Sequence, residues 1–267
     1  MLSRPLVSLI ATLAMVAAGA HSSTPANAAP VAYAFVATGI PNSITTLAVS
    51  SSGSFTHVAT IAAPAEIYHL SVTSKFLFAI DAASNVYTYA IGSTGALKLV
   101  ATTNAGKYVP GFAKEYSIPL TQVDAAGVTI YTMVGTSWTT WYLESFKIES
   151  NGELQFLGKS PAEADALSQI RFVQNGQYAL ANGCYNTAAG ASFVTDSDDI
   201  NTLATYKHES NGFLTYTATS QDMPAAQSPY QYCGGLNASD SSNHVVVGFS
   251  IFNPPGDDME PGTALGT

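Results

Sequence analysis

Lys75-Phe76-Leu77-Phe78-Ala79-Ile80-Asp81-Ala82-Ala83-Ser84-Asn85-Val86-Tyr87-Thr88-Tyr89-Ala90-Ile91 is the stretch that decides the fold. Bulky apolar residues recur at every second position on both sides of a small polar turn, and that period of two means a pair of strands, not a helix. Ile67–Val72 precedes the pair after the turn Thr73-Ser74, and Ala96–Thr102 follows it after Gly92-Ser93-Thr94-Gly95. Residues 66–102 thus spell four consecutive strands, an antiparallel meander.

The same order returns along the chain. Ala32–Ala37, Ile44–Val49 and Phe55–Thr60 match strands two to four of the unit, and this copy shows no first strand of its own. A third copy runs through Ile118–Val123, Val128–Val134, Trp141–Ile148 and Leu154–Gly158. A fourth runs through Ser168–Val173, Gln177–Ala181, Ile200–Thr205 and Phe213–Ala218. A fifth begins near Tyr230, continues as His244–Phe249, and would start its third strand at about Ala264. A β unit of this length that repeats is the signature of propeller blades. A sandwich is the rival, but it has no reason to return a Ser-x-Gly or Ser-Asn-Gly turn before each fourth strand. The expectation is an all-β, antiparallel β-propeller with about four to five blade repeats, incomplete at the C-terminus, where too little chain remains for the last two strands of the fifth copy.

The totals agree with this class. In 267 residues, 47% are hydrophobic and only 10% charged, with 21 Gly and 13 Pro, which suits a turn-rich β protein and excludes a disordered chain. The net charge is −9. A surface of that sign repels a phosphate backbone, so nucleic acid is excluded as a partner, and an anionic membrane with it.

Residues 1–28 read as an export signal with a short linker: Arg4, an apolar run from Leu6 to Ala20, then small residues in the Ala18-Gly19-Ala20 and Ala26-Asn27-Ala28 patterns. The run is shorter than the roughly 20 residues of a spanning helix. The expected organisation is therefore a leader over 1–28 and a propeller domain over 29–267, exported to a periplasmic or extracellular space and free of the membrane once cleaved. Cys184 and Cys233 are the only cysteines, and in an oxidising compartment they are expected to form a disulfide; two separate thiols are the alternative.

The repeat pattern resembles that of the phosphogluconolactonase-type lactonase family of seven-bladed propellers. The echoes are Asp124-Ala125-Ala126-Gly127 before Thr129-Ile130-Tyr131, Asn85–Ile91, and Thr94-Gly95-Ala96-Leu97. Seven blades need more chain than is present, and the turns lack the Pro usual in that family. The resemblance implies a scaffold, and as an activity on it the hydrolysis of a sugar lactone.

Site residues are sought on the inner strands and long loops. Counting back from the turns at Ser74 and Gly176 puts His69 and Arg171 at one position, with Gln122 there in the third copy. Arg171 is the only arginine after the leader, and its planar fork suits a carboxylate or phosphate; a structural pairing is the bland alternative. His69 is a candidate general base, but no nucleophile or partner carboxylate is fixed beside it by spacing. Long insertions fall on one face: Asn104–Ser117, Lys159–Ala166, Asn182–Asp199, Ser220–Pro229 and Asn253–Gly262. Loops that vary on a rigid scaffold commonly carry binding.

No phosphate loop, zinc spacing, nucleophile elbow or dinucleotide fingerprint occurs, so no cofactor or metal is expected. Asp196-Ser197-Asp198-Asp199 and Asp257-Asp258-Met259-Glu260 lack the glycine and distal glutamate of a calcium loop and read as solvated charge. Two functions remain open: a scaffold that binds a small molecule or protein partner through its looped face without catalysis, and a lactonase-like hydrolase.

Overall fold

The computed structural model describes residues 13–17, 29–116, 119–137, 140–162, 167–183, 202–222, 231–239, 245–252 and 263–266. They form antiparallel meanders in which each strand pairs with its neighbours in sequence. The first sheet holds β1 (Leu13–Ala17), β2 (Ala32–Gly39), β3 (Asn42–Val49) and β4 (Phe55–Ala62). The second holds β5 (Ile67–Val72), β6 (Phe76–Asp81), β7 (Asn85–Ile91) and β8 (Leu97–Asn104). The third holds β9 (Thr121–Val123), β10 (Thr129–Ser137), β11 (Thr140–Ile148) and β12 (Leu154–Pro161). The fourth holds β13 (Leu167–Val173), β14 (Tyr178–Gly183), β15 (Thr202–His208) and β16 (Leu214–Asp222). The fifth holds β17 (Gln231–Ser239), β18 (Val245–Phe252) and β19 (Thr263–Gly266), the last of these where a strand is expected near Ala264.

The chain divides into two units: residues 1–104 with 149–153, and residues 105–148 with 154–267. In the first, Tyr33, Phe35 and Ala37 of β2 meet Leu77 and Ala79 of β6 in one buried cluster. In the second, Tyr131 and Met133 of β10 and Leu143 of β11 meet Ala179 and Ala181 of β14 and Tyr206 of β15. Alternation produces both: one face of a strand packs on one neighbouring sheet. β6 is buried along its whole length, which is why Phe76–Ile80 is apolar on both faces. The fourth strands, β4 and β8, are mostly exposed and carry Thr, His and Lys among their apolar residues.

A finer repeat lies inside the sheets. The pairing of third with fourth strand slips by one residue after Thr46, Thr88, Ser145 and Thr205. Seven positions beyond each stands a left-handed glycine: Gly53, Gly95, Gly152 and Gly212. A bulge increases local twist, so each sheet twists at the same place before its tight turn. Two of these glycines also fill a steric need. A Cβ on Gly95, at φ +78°, would lie 2.5 Å from Tyr33 Cδ1, and one on Gly212, at φ +90°, would strike Thr129 Oγ1. The turns are then tied down: Thr46 Oγ1 donates to Gly95 O at 3.1 Å, and Tyr131 OH donates to Gly212 O at 2.8 Å.

Two expectations change. The first sheet has an inner strand after all: β1 pairs antiparallel with β2, Leu13 opposite Val36 through Ala17 opposite Ala32. The residues that read as the middle of a leader are β-compatible and apolar, and β2 otherwise ends that sheet as an unpaired edge. The fifth sheet likewise gains a third strand, β19 on β18, where too little chain was expected to remain for the last two. In the connection over residues 105–116, Gly106–Tyr108 and Lys114–Tyr116 are single 3₁₀ turns. Tyr108 stacks on Phe156 with ring centroids 4.2 Å apart, anchoring the connection to β12. Among the described residues, no helix is long and apolar enough to cross a membrane.

Candidate functional site

The first strands of the meanders carry little charge. Thr121–Val123, Leu167–Val173 and Gln231–Ser239, the first strands of the second unit's sheets, contain one cation, Arg171, and no Asp or Glu. Register aligns the sheets. Arg171 lies opposite Leu180, which lies opposite Thr205; Gln122 lies opposite Tyr131, which lies opposite Ser145. Thr205 and Ser145 are the bulge residues, so Arg171 and Gln122 are equivalent, as their distance from the turns in the sequence implies.

His69 is not their equivalent. In the second sheet the bulge residue Thr88 lies opposite Phe78, and Phe78 lies opposite Ser71. The reason is turn length. Thr73 N donates to Phe76 O, leaving the two residues Ser74 and Lys75 in the turn, whereas Val173 pairs with Tyr178 and leaves four. Counting back from turn residues overshoots by two in the second sheet. Ser71 is the residue missed: it is buried, and its Oγ has no hydrogen-bond partner among the described residues. His69 is half-buried on β5 opposite Ile80, in the first unit.

Arg171 and Gln122 are brought together. Arg171 Nη1 donates to Gln122 Oε1 at 3.2 Å and to Ile170 O at 3.2 Å. Gln122 Nε2 donates in turn to Val123 O at 3.0 Å. The guanidinium is half-buried, and burial lowers its pKa from the usual arginine value; an arginine nonetheless keeps its proton in proteins. Both acceptors of Nη1 are neutral, and among the described residues no carboxylate pairs with Arg171. A desolvated cation with neutral partners attracts an anion more strongly than one in water does.

A second polar cluster belongs to the short-turn ends of the same unit. His208 Nδ1 lies 2.8 Å from Gly176 O, so Nδ1 carries a proton, and Nε2 lies 3.8 Å from Asp124 Oδ2. Asp124 also accepts from Val128 N at 2.8 Å. These contacts join three turns and bring no hydroxyl or thiol nucleophile to the imidazole, so we read them as a structural clasp. Among the described residues there is no group of three or more metal-ligating side chains. Cys184, Asp196–Asp199 and Asp257–Glu260 lie outside the described residues, and Cys233 is described only as backbone on β17.

Compared with protein families and with curated proteins, the sequence matches none. Solved structures do match. A Bacteroides uniformis protein provisionally designated a 6-phosphogluconolactonase superposes with a TM-score of 0.58 at 16% identity, over 80% of this chain and 56% of its own. The periplasmic gluconolactonase of Pseudomonas aeruginosa gives a TM-score of 0.52 at 18% identity, over 87% of this chain and 69% of its own. The scaffold resembles lactonase-type β-propellers. The Cps50 (Swd1) β-propeller domain of Myceliophteria thermophila gives 0.53 at 9% identity, over 83% and 64%. At such identities the likeness fixes the fold alone: an all-β antiparallel propeller. The chain spans about half to two thirds of the length of these proteins.

Proposed function

We propose that the protein is an exported β-propeller that binds a small anionic ligand without transforming it, with Arg171 as the charged anchor. The carrying observation is a half-buried guanidinium held by two neutral acceptors, with no acid beside it among the described residues. A protein whose net charge is −9 has little reason to leave a half-buried cation without an acid among the described residues unless something binds it. Around Arg171 the described residues supply an amide and a carbonyl, which orient a ligand but do not attack it. Titration calorimetry with a panel of small carboxylates tests this, and Arg171→Ala should abolish binding while leaving the thermal midpoint within a few degrees of wild type.

The second reading is a hydrolase of a sugar lactone, favoured by the likeness to a periplasmic gluconolactonase. In that case Arg171 would hold the carboxylate product. Lactone turnover by the intact protein that disappears in Arg171→Ala supports hydrolysis over binding alone.

A further inference from the structure

Resting on that reading of Arg171, we infer that Gln122 is a positioning and charge-setting residue, which aims the guanidinium while leaving its charge uncompensated, so that the site takes a ligand with one negative charge, a monocarboxylate and not a phosphate dianion.

The orientation of the Gln122 amide is determined by its surroundings. Nε2 donates to Val123 O at 3.0 Å, which turns Oε1 toward Arg171 Nη1 at 3.2 Å. The flipped amide would set an NH₂ group against guanidinium N–H groups, donor against donor, and would lose the bond to Val123. Arg171 therefore has one nitrogen committed, to Gln122 and to Ile170 O together. Neither Nη2 nor Nε has a hydrogen bond to a described residue. A carboxylate can accept from these two in a forked pair.

Why glutamine and not glutamate follows from charge. A carboxylate at this position would form a forked ion pair with Arg171 and neutralise it, and the incoming anion would then face a closed pair. An amide offers the same acceptor geometry at no charge. The number of charges the site can balance is counted on the strands themselves. Across β9, β13 and β17 the sequence holds one cation and no acid. The cations elsewhere in the unit lie on second to fourth strands or in connections, as with Lys207, which already pairs with Glu209 at 2.8 Å. One guanidinium balances one negative charge. A phosphate ester near neutral pH would bring close to two into a protein that is already acidic.

The experiment is titration calorimetry of acetate, lactate, gluconate and inorganic phosphate against wild type, Gln122→Ala, Gln122→Glu and Arg171→Ala, with thermal midpoints for all four proteins. We expect at least one monocarboxylate to bind wild type at least tenfold more tightly than phosphate does. Affinity for it should fall in the order wild type, Gln122→Ala, Gln122→Glu, the last by tenfold or more. The thermal midpoint should follow a different order, with Gln122→Glu at or above wild type and Gln122→Ala lowest. A purely structural role for Gln122 would make both orders the same, and that result overturns the inference. Phosphate binding as tightly as every carboxylate overturns the charge assignment. Arg171→Ala binding like wild type, or wild type binding none of the four, overturns the proposed function and this inference with it.

Discussion

Glu144 sits in the middle of β11, fully buried, with Oε2 accepting from Thr132 Oγ1 at 3.1 Å and Oε1 without a hydrogen-bond partner among the described residues. Burial pushes its pKa up to about 8, more than the Thr132 hydroxyl and the Lys159 charge pull it down. The folded protein therefore holds this proton where the unfolded chain, with an ordinary carboxyl near 4.5, has released it. Stability from this group is complete below about pH 4.5 and is lost as pH rises to about 8. Glu144→Gln should melt several degrees above wild type at about pH 8.5 and within a degree or two of it at about pH 4.5; a pH-independent difference would reject this. The turn glycines give a paired test. A Cβ on Gly53, at φ +81°, would have nothing within 4 Å, whereas one on Gly212 would abut Thr129. Gly53→Ala should cost about 1 kcal/mol from backbone conformation alone, and Gly212→Ala about 2–4 kcal/mol, because the clash adds to it. Urea unfolding midpoints compare the two.

At the scale of elements, period-two alternation was enough to read the strands, since Lys75–Ile91 and its echoes leave no helical alternative. The third-to-fourth strand turns were also legible, because the left-handed conformation of Gly53, Gly95, Gly152 and Gly212 restricts that position almost to glycine. Two things were not. The register of β5 escaped because its turn to β6 has two residues where the turn before β14 has four, and no residue pattern marks that difference; hence His69 stood in for Ser71. The pairing of Gln122 with Arg171 was visible as a shared position, but the direction of the Gln122 amide depends on Val123 O, a backbone atom that no side-chain pattern reveals. β1 was hidden for a different reason: Leu13–Ala17 fits a leader and a strand equally well. Its pairing with β2 predicts that amides of Ala32–Val36 exchange slowly while residues 13–17 are attached. Ala14→Pro together with Val16→Pro should speed exchange there by about tenfold or more, since proline cannot donate to the ladder. Unchanged protection would mean that β1 does not occupy that edge in solution.

For the whole molecule, two buried clusters in two units suggest separable stability. Calorimetry should give a calorimetric enthalpy larger than the van't Hoff value, the mark of unfolding in more than one step; equality of the two would indicate a single cooperative block. The expected Cys184–Cys233 bridge would close a loop of about 50 residues and contribute about 3–4 kcal/mol. Denatured, unreduced protein should then show no thiol open to alkylation, and two reactive thiols would exclude the bridge.

Among the described residues, each sheet is drawn from one continuous stretch, and strands pair with those before and after them in sequence. A chain delivered N-terminus first, from a ribosome or through a secretion pore, can therefore finish each sheet while the next is still inside. Nothing already laid down has to wait for a distant partner, and hairpins that close locally do so in microseconds, far faster than synthesis at roughly 5–20 residues per second supplies new ones. The order of emergence thus becomes the order of assembly, and a pause or stop in delivery leaves the earlier sheets whole and only the one then emerging half-formed.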